Sequence, residues 1–197
     1  KQAADKNVTT DYLRINSFAK ANITQDLTLN ADFTYAIENM NSGSQDFSVY
    51  GLNWGKLSPN YIVSKGNTNV WRDNSKTNTW TLNAYLNYEK TFATNHNLKV
   101  MVGINAEKEK YTYFWGNRKN IIDERFPELN LASPIGQDIN SKHTDRASAG
   151  YFGRINYDYK DIYLLELNGR YDGSSRFPRH SHWAFFPSVS LGYRFSE

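Results

Sequence analysis

Apolar and polar residues alternate along much of this chain with a period of two, and no other feature limits its fold so tightly. Successive side chains of a β-strand point to opposite faces, so such a run makes a strand with one apolar and one polar side. From Leu27 the odd positions Leu27, Leu29, Ala31, Phe33, Tyr35 and Ile37 are apolar, while Thr28, Asn30, Asp32 and Thr34 between them are polar. Trp80, Leu82, Ala84, Leu86 and Tyr88 repeat the pattern, as do Leu98, Val100, Val102, Ile104 and Ala106. Three further segments follow. Tyr151 to Tyr159, Tyr163 to Tyr171 and Phe185 to Phe195 keep the same phase, with Phe152 an exception on the polar side. A weaker strand near Tyr12 to Ala21 brings the expected number to about seven. Each clear segment has about ten residues, the 9–11 or so that a tilted strand needs to cross a bilayer.

Connection lengths order these strands. Asn22 to Asp26, Thr91 to Asn97 and Lys160-Asp161 are short, whereas Glu38 to Thr79, Trp115 to Ser148 and Gly173 to His182 are long. In a meander every second connection emerges at the same end, so this spacing predicts one end of tight turns and one of large loops. Outer-membrane barrels have that asymmetry. Composition agrees, since aromatics reach 15% of the residues while mean hydropathy is −0.71. Alternating strands allow low average hydropathy, and interfacial girdles raise the Tyr, Trp and Phe content. Tyr35, Trp80, Tyr88, Tyr157, Tyr159, Tyr163, Tyr171, Tyr193 and Phe195 fall toward the ends of the apolar faces, where such girdles sit. No apolar run approaches the roughly 20 residues of a spanning helix. The expected fold is all-β: an antiparallel up-and-down meander forming part of a transmembrane β-barrel. A soluble β-sandwich, such as a carbohydrate-binding module, is the alternative, and it requires a second layer to cover the apolar faces.

Other classes find little support. With no cysteine the chain has no disulfides, thiolate metal sites or cysteine nucleophiles. A net charge of +3, without a run of like charges, does not imply nucleic acid. Interleaved basic and aromatic residues over 111–119 suit a tall strand leaving a membrane as well as a nucleic-acid surface. His180 and His182 share one face of an extended segment but have no third ligand spaced nearby, so a solvated loop is expected there and no metal or cofactor. Neighbouring carboxylates at Asp123-Glu124 point apart on a loop, and no catalytic constellation is found.

The segments Gly150 to Tyr159, Tyr163 to Phe177 and Trp183 to Glu197 carry the runs Arg-Tyr-Asp-Gly-Ser-Ser-Arg-Phe (170–177) and Phe-Pro-Ser-Val-Ser (186–190). They resemble the barrel of SusC/RagA-type TonB-dependent transporters over the last quarter of the chain; the first three quarters agree in style. The resemblance implies that residues 1–197 are a fragment of the barrel domain, without the N-terminal plug and TonB-binding segment. It also implies the bacterial outer membrane, a SusD-like surface lipoprotein, the TonB complex and a glycan or peptide nutrient, and no enzyme activity. Read from the residues, Arg170 and Asp172 lie on the lumen side near a strand end, and Gly173-Ser174-Ser175 turns the chain. Candidate lumen or loop contacts to a ligand are Arg170, Asp172, Arg176, Trp183, Trp54, Trp71 and Trp115, with Tyr61, Arg179 and His180 nearby in the loops. Pro187, unable to donate to a ladder, is expected at a strand end or bulge.

Overall fold

A computed structural model describes residues 4–53, 58–63 and 68–195; the side chains of 49–63 and of Arg179 lie outside that description. Among these residues nine strands occur, in the order β1 (Ala4–Asn22), β2 (Leu27–Asp46), β3 (Val49–Asn53), β4 (Ser58–Val63), β5 (Asn69–Phe92), β6 (His96–Ile121), β7 (Ala132–Tyr159), β8 (Tyr163–Ser174) and β9 (Trp183–Tyr193). Seven form one sheet in the order β1-β2-β5-β6-β7-β8-β9, an antiparallel meander, and β3 pairs with β4 as a separate hairpin. Helical structure among the described residues is limited to the 3-10 turns Leu129–Leu131 and Arg179–Ser181.

The chain divides into two compact units. Unit 1 takes 1–13, 37–77 and 111–144, and unit 2 takes 14–36, 78–110 and 145–197. Unit 2 contains the short turns, which fall at 23–26, 93–95 and 160–162. Positive φ at Ala93 and Thr94, and at Lys160 and Asp161, lets two of these turns reverse a twisted hairpin. Ile162 closes the last by donating its amide to the Tyr159 carbonyl at 3.1 Å.

Register in unit 2 confirms the two-faced reading of the sequence. Tyr151 pairs with Tyr171 and Tyr171 with Phe185; Ile155 pairs with Leu167 and Leu167 with Val189; Tyr159 pairs with Tyr163 and Tyr163 with Tyr193. Directly opposed residues share a face, so these rows make a continuous apolar surface across three strands. The opposite face has Arg154, Asn168 and Ser188 in one row and Asn156, Glu166 and Ser190 in the next. No second layer covers the apolar side among the described residues: Val102 is 50% exposed, Val189 68% and Leu191 79%. Among the described residues the buried apolar ones are Val70 and Ala132, both in unit 1. A sandwich module would have sealed these rows.

Aromatic rings bound the exposed surface. Trp183 stacks on Tyr171 with centroids 4.9 Å apart, with Tyr151 6.0 Å away. Beyond the far edge, Tyr163 meets Tyr193 at 5.2 Å and Tyr193 meets Phe195 at 4.9 Å. Ten positions of β9 separate Trp183 from Tyr193. At about 3.3 Å per residue they span about 33 Å along the strand. A tilt of roughly 40° makes that about 25 Å of height, the apolar band of an outer-membrane barrel.

Unit 1 departs from expectation. The long connections are largely strand: β2 runs on to Asp46, β5 starts at Asn69, β6 reaches Ile121 and β7 starts at Ala132. Strands of 19 to 28 residues replace the expected ten or so, with β8 and β9 near that length. Alternation vanishes where neither face is apolar, so Glu38 to Asp46 has no hydrophobic period to detect. Side-chain hydrogen bonds join the strands there instead. Asn74 donates to Asn39 at 2.9 Å and to Asn41 at 2.7 Å, Ser42 donates to Asp73 at 2.6 Å, and Arg72 reaches Gln45 at 3.3 Å.

Pro187 also differs from expectation. It lies inside β9, opposite Gly169, and not at a strand end or bulge. A proline donates no ladder hydrogen bond, so position 187 offers the sheet a carbonyl and no N–H.

Candidate functional site

The polar face of unit 2 carries the most developed site, built by the ends of β7, β8 and β9 beside the 174–182 connection. On β8, Arg170 and Asp172 stand two residues apart and so share that face. Their side chains form a bidentate pair, Nε to Oδ2 at 3.0 Å and Nη2 to Oδ1 at 2.9 Å. The guanidinium also lies 5.7 Å from the centroid of Phe152, its cross-strand partner. Phe152, the exception to the polar parity, has its ring over Gly103 of β6; a Cβ there would be 2.6 Å from Tyr85 Cβ and 2.5 Å from the Phe152 ring. Gly150 serves the ion pair similarly, because a side chain at that position would run into the Asp172 carboxylate.

Above the pair opens a pocket of about 550 Å³, with Asn105, Ser148, Phe177, His182, Ala184 and Phe186 among its lining. A second, of about 380 Å³, shares Ser148, Ser174 and Phe177 with the first and is lined by Glu107, Glu109, Arg146 and Arg176. Arg146 pairs with Glu109 at 3.2 Å. The side chain of Arg176 has no hydrogen-bond or ion-pair partner among the described residues, while its backbone amide donates to Ser174 Oγ at 3.3 Å. Polar networks continue along the same face. Arg154 donates to Asn168 at 2.7 Å, Asn168 donates to Glu166 at 2.7 Å, and Asn105 donates to Asn83 at 2.5 Å, which in turn donates to Asp32 at 2.6 Å. Hydrogen-bonded chains of this kind restrict the side chains that make them.

The sequence candidates separate into three places. Arg170, Asp172 and Arg176 converge on the two neighbouring pockets. Trp183 lies on the opposite, apolar face, opposed to Gly173 and stacked on Tyr171. Trp71 and Trp115 lie in unit 1 and stack on each other at 4.1 Å with 14° between planes, so each covers one face of the other. The Trp71 indole donates to Asp73 at 2.7 Å. Trp54 lies outside the described residues, as do the side chains of Tyr61 and Arg179; His180 is exposed on the 3-10 turn. No group of three or more His, Asp or Glu able to hold a metal occurs among the described residues. In the 122–131 connection Asp123, by hydrogen bond first and charge second, raises the Arg125 guanidinium above its usual pKa.

Phe177, Phe186, Asn105 and His182 were not among the candidates. Phe186 offered one signal, an aromatic on the polar phase of a strand whose next such positions are Ser188 and Ser190. The others are brought in by connection geometry and by strand register, neither of which is local in sequence.

The sequence profile of the family described as "TonB dependent receptor-like, beta-barrel" matches residues 2–197. TonB-dependent receptor P26 of Formosa agariphila is 31% identical over 144 residues, which is 71% of this chain and 14% of that receptor. SusC of Bacteroides thetaiotaomicron is 43% identical over 54 residues, 27% of this chain and 5% of SusC. The structure of the RagAB peptide transporter superposes with a TM-score of 0.84 at 17% identity, covering 95% of this chain and 20% of that one; this likeness concerns the fold. The chain thus spans a small part of the length of the relatives it matches. With an exposed apolar face, girdles about 25 Å apart and a family profile over nearly every residue, the chain belongs to the TonB-dependent receptor-like β-barrel family.

Proposed function

We propose that these residues form a stretch of wall in an outer-membrane barrel that imports a glycan or peptide nutrient by a TonB-dependent route, with a SusD-like lipoprotein at the surface. The observation that carries the reading is the single-layered sheet, whose Leu, Val and aromatic rows are open on one side while charged networks occupy the other. Such a wall is stable where the first side meets acyl chains and the second meets a hydrated lumen. Plug and TonB-binding segments then belong to other parts of the receptor. The protein's task is non-covalent. Loops and lumen residues hold the nutrient, and energy comes from the TonB complex. Arg170, Asp172 and Arg176 are the lumen contacts, while Trp71 and Trp115 serve as packing in the tall strands and Trp183 as a girdle residue.

Membrane fractionation and growth test this reading together. The receptor carrying this chain should remain in the outer-membrane fraction after a carbonate wash, and deleting either it or TonB should abolish growth on the same glycan or peptide as sole carbon source. Recovery in the aqueous fraction, or normal growth of the deletion strain on every nutrient of a glycan and peptide panel, overturns it.

A further inference from the structure

We infer that two fittings on the polar face of unit 2, the Asn97 side chain at the tight-turn end and the Phe152 ring over Gly103, select the register in which β6 joins β7. This rests on the barrel reading. In a closed barrel the stagger of the strands is tied to their tilt and to the bore, so a slip at one joint alters the lumen.

Tight turns at 93–95 and 160–162 set β5 against β6 and β7 against β8, whereas β6 and β7 are linked through the long 122–131 connection. Their register needs another source. A slip of one residue would turn every side chain to the wrong face, but a slip of two would keep both faces as they are. Leu98, Val100, Val102 and Ile104 would then meet other members of the apolar row that runs from Ala149 to Tyr159. The apolar face is therefore indifferent. So is the Arg146–Glu109 ion pair at 3.2 Å, because Glu107 stands two positions before Glu109 on the same face and would replace it after a slip in one direction.

Asn97 does discriminate. Its Nδ2 donates to Asp158 Oδ1 at 2.8 Å and to Asp161 Oδ1 at 3.4 Å, while Thr91 Oγ1 donates to its Oδ1 at 2.7 Å. One side chain thus ties the end of the β5–β6 hairpin to that of the β7–β8 hairpin. The Lys160 amide, donating to the Asn95 carbonyl at 2.7 Å, closes the same joint through the backbone. Ala93, Thr94, Lys160 and Asp161 all hold positive φ there without being glycine, a conformation that the surrounding contacts must maintain. After a slip of two Asn97 would face Asn156 or Lys160, and its bonds to both carboxylates would be lost.

Six positions along each strand from Asn97 and Asp158 come Gly103 and Phe152, and six more bring Glu109 and Arg146, so one unbroken ladder carries all three pairs. The Phe152 ring occupies the space of the missing side chain, 2.5 Å from where a Cβ on residue 103 would stand. Its row offers no other such gap nearby. A slip of two would drive the ring against Met101 or Asn105, an overpacked arrangement.

The test uses the full receptor, freed of any other cysteine, in isolated outer membranes with copper phenanthroline as oxidant. Val102→Cys with Gly153→Cys reports the register described, since the two positions lie side by side. Val102→Cys with Tyr151→Cys or with Ile155→Cys reports the two slips. With Asn97 and Phe152 intact, the 102–153 disulfide should dominate. Asn97→Ala and Phe152→Ser should each raise the slipped products by roughly threefold or more, and together by roughly tenfold or more. Asn168→Leu, which removes three hydrogen bonds from the same face on β8, should leave them at the wild-type level. Heat-dependent gel mobility identifies assembled barrels, which alone are scored, and the single variants decide if the double variant does not assemble. Slipped products that stay at the wild-type level in both single variants, or that rise equally with Asn168→Leu, overturn the inference and leave the wall reading intact. Absence of the unaltered receptor from the outer membrane would overturn the wall reading and this inference with it.

Discussion

Val189 stands six positions from Trp183 and four from Tyr193 on β9, which places it about 15 Å and 10 Å in height from the two girdles at roughly 3.3 Å per residue and about 40° of tilt. It is 68% exposed on the apolar face. If that exposure is to acyl chains, Val189→Arg puts a charge near the midplane and costs about 2–4 kcal/mol. Its neighbour Ser188 lies on the polar face opposite Asn168, where Ser188→Arg meets water and should change stability by no more than about 0.5 kcal/mol. Urea titration of the receptor in thin-bilayer vesicles, read by gel mobility of the folded form, measures both. The difference amounts to at least tenfold in the folding equilibrium, since about 1.4 kcal/mol is tenfold. Equal costs for the two variants, or a larger cost at Ser188, would refute the assignment of the faces.

Gly150→Val should displace the Asp172 carboxylate and separate it from Arg170, destabilising the barrel by about 1–3 kcal/mol and lowering uptake of the nutrient, both measurable in the same receptor. Trp115→Ala should remove the stack with Trp71, about 0.5–1.5 kcal/mol beyond the lost area, and speed proteolysis in the 122–131 connection without moving the folding midpoint of the membrane-embedded strands. Replacing Lys160-Asp161 by Asn-Gly, which accept positive φ more readily, should raise stability by about 0.5–1 kcal/mol in the urea titration. Arg72→Ala should leave the Pro127 carbonyl without the donor now 2.7 Å away and make the same connection more accessible to protease.

The fold was legible wherever an apolar face imposed a period. Leu27 to Ile37, Leu98 to Ala106 and Tyr163 to Tyr171 each read as a strand because one side had to leave water, and for Tyr163 to Tyr171 the register sets the expected residues side by side. Beyond the girdles that constraint disappears. Asn39, Asn41, Ser42 and Gln45 are held by side-chain hydrogen bonds to β5, a pattern that no window of sequence contains. At the site, the spacing of Arg170 and Asp172 announced a shared face. Pairing with Phe152 and Gly150 depended on register, and Phe177 was delivered by a connection whose path has no periodic code. Trp71 and Trp115 showed the converse. Taken singly each invites a ligand, yet 44 positions apart in sequence they meet and stack.

The chain contains no cysteine, so single thiols can carry a fluorophore to chosen positions without background from these residues. With NBD at Leu167, Val189 or Leu191 in the receptor, brominated acyl chains should quench the emission strongly, and at Asn168, Ser188 or Ser190 they should leave it nearly unchanged while aqueous iodide quenches it. Uniform quenching by iodide at all six positions, or bromolipid quenching of the 168, 188 and 190 set, would contradict a lipid-facing wall.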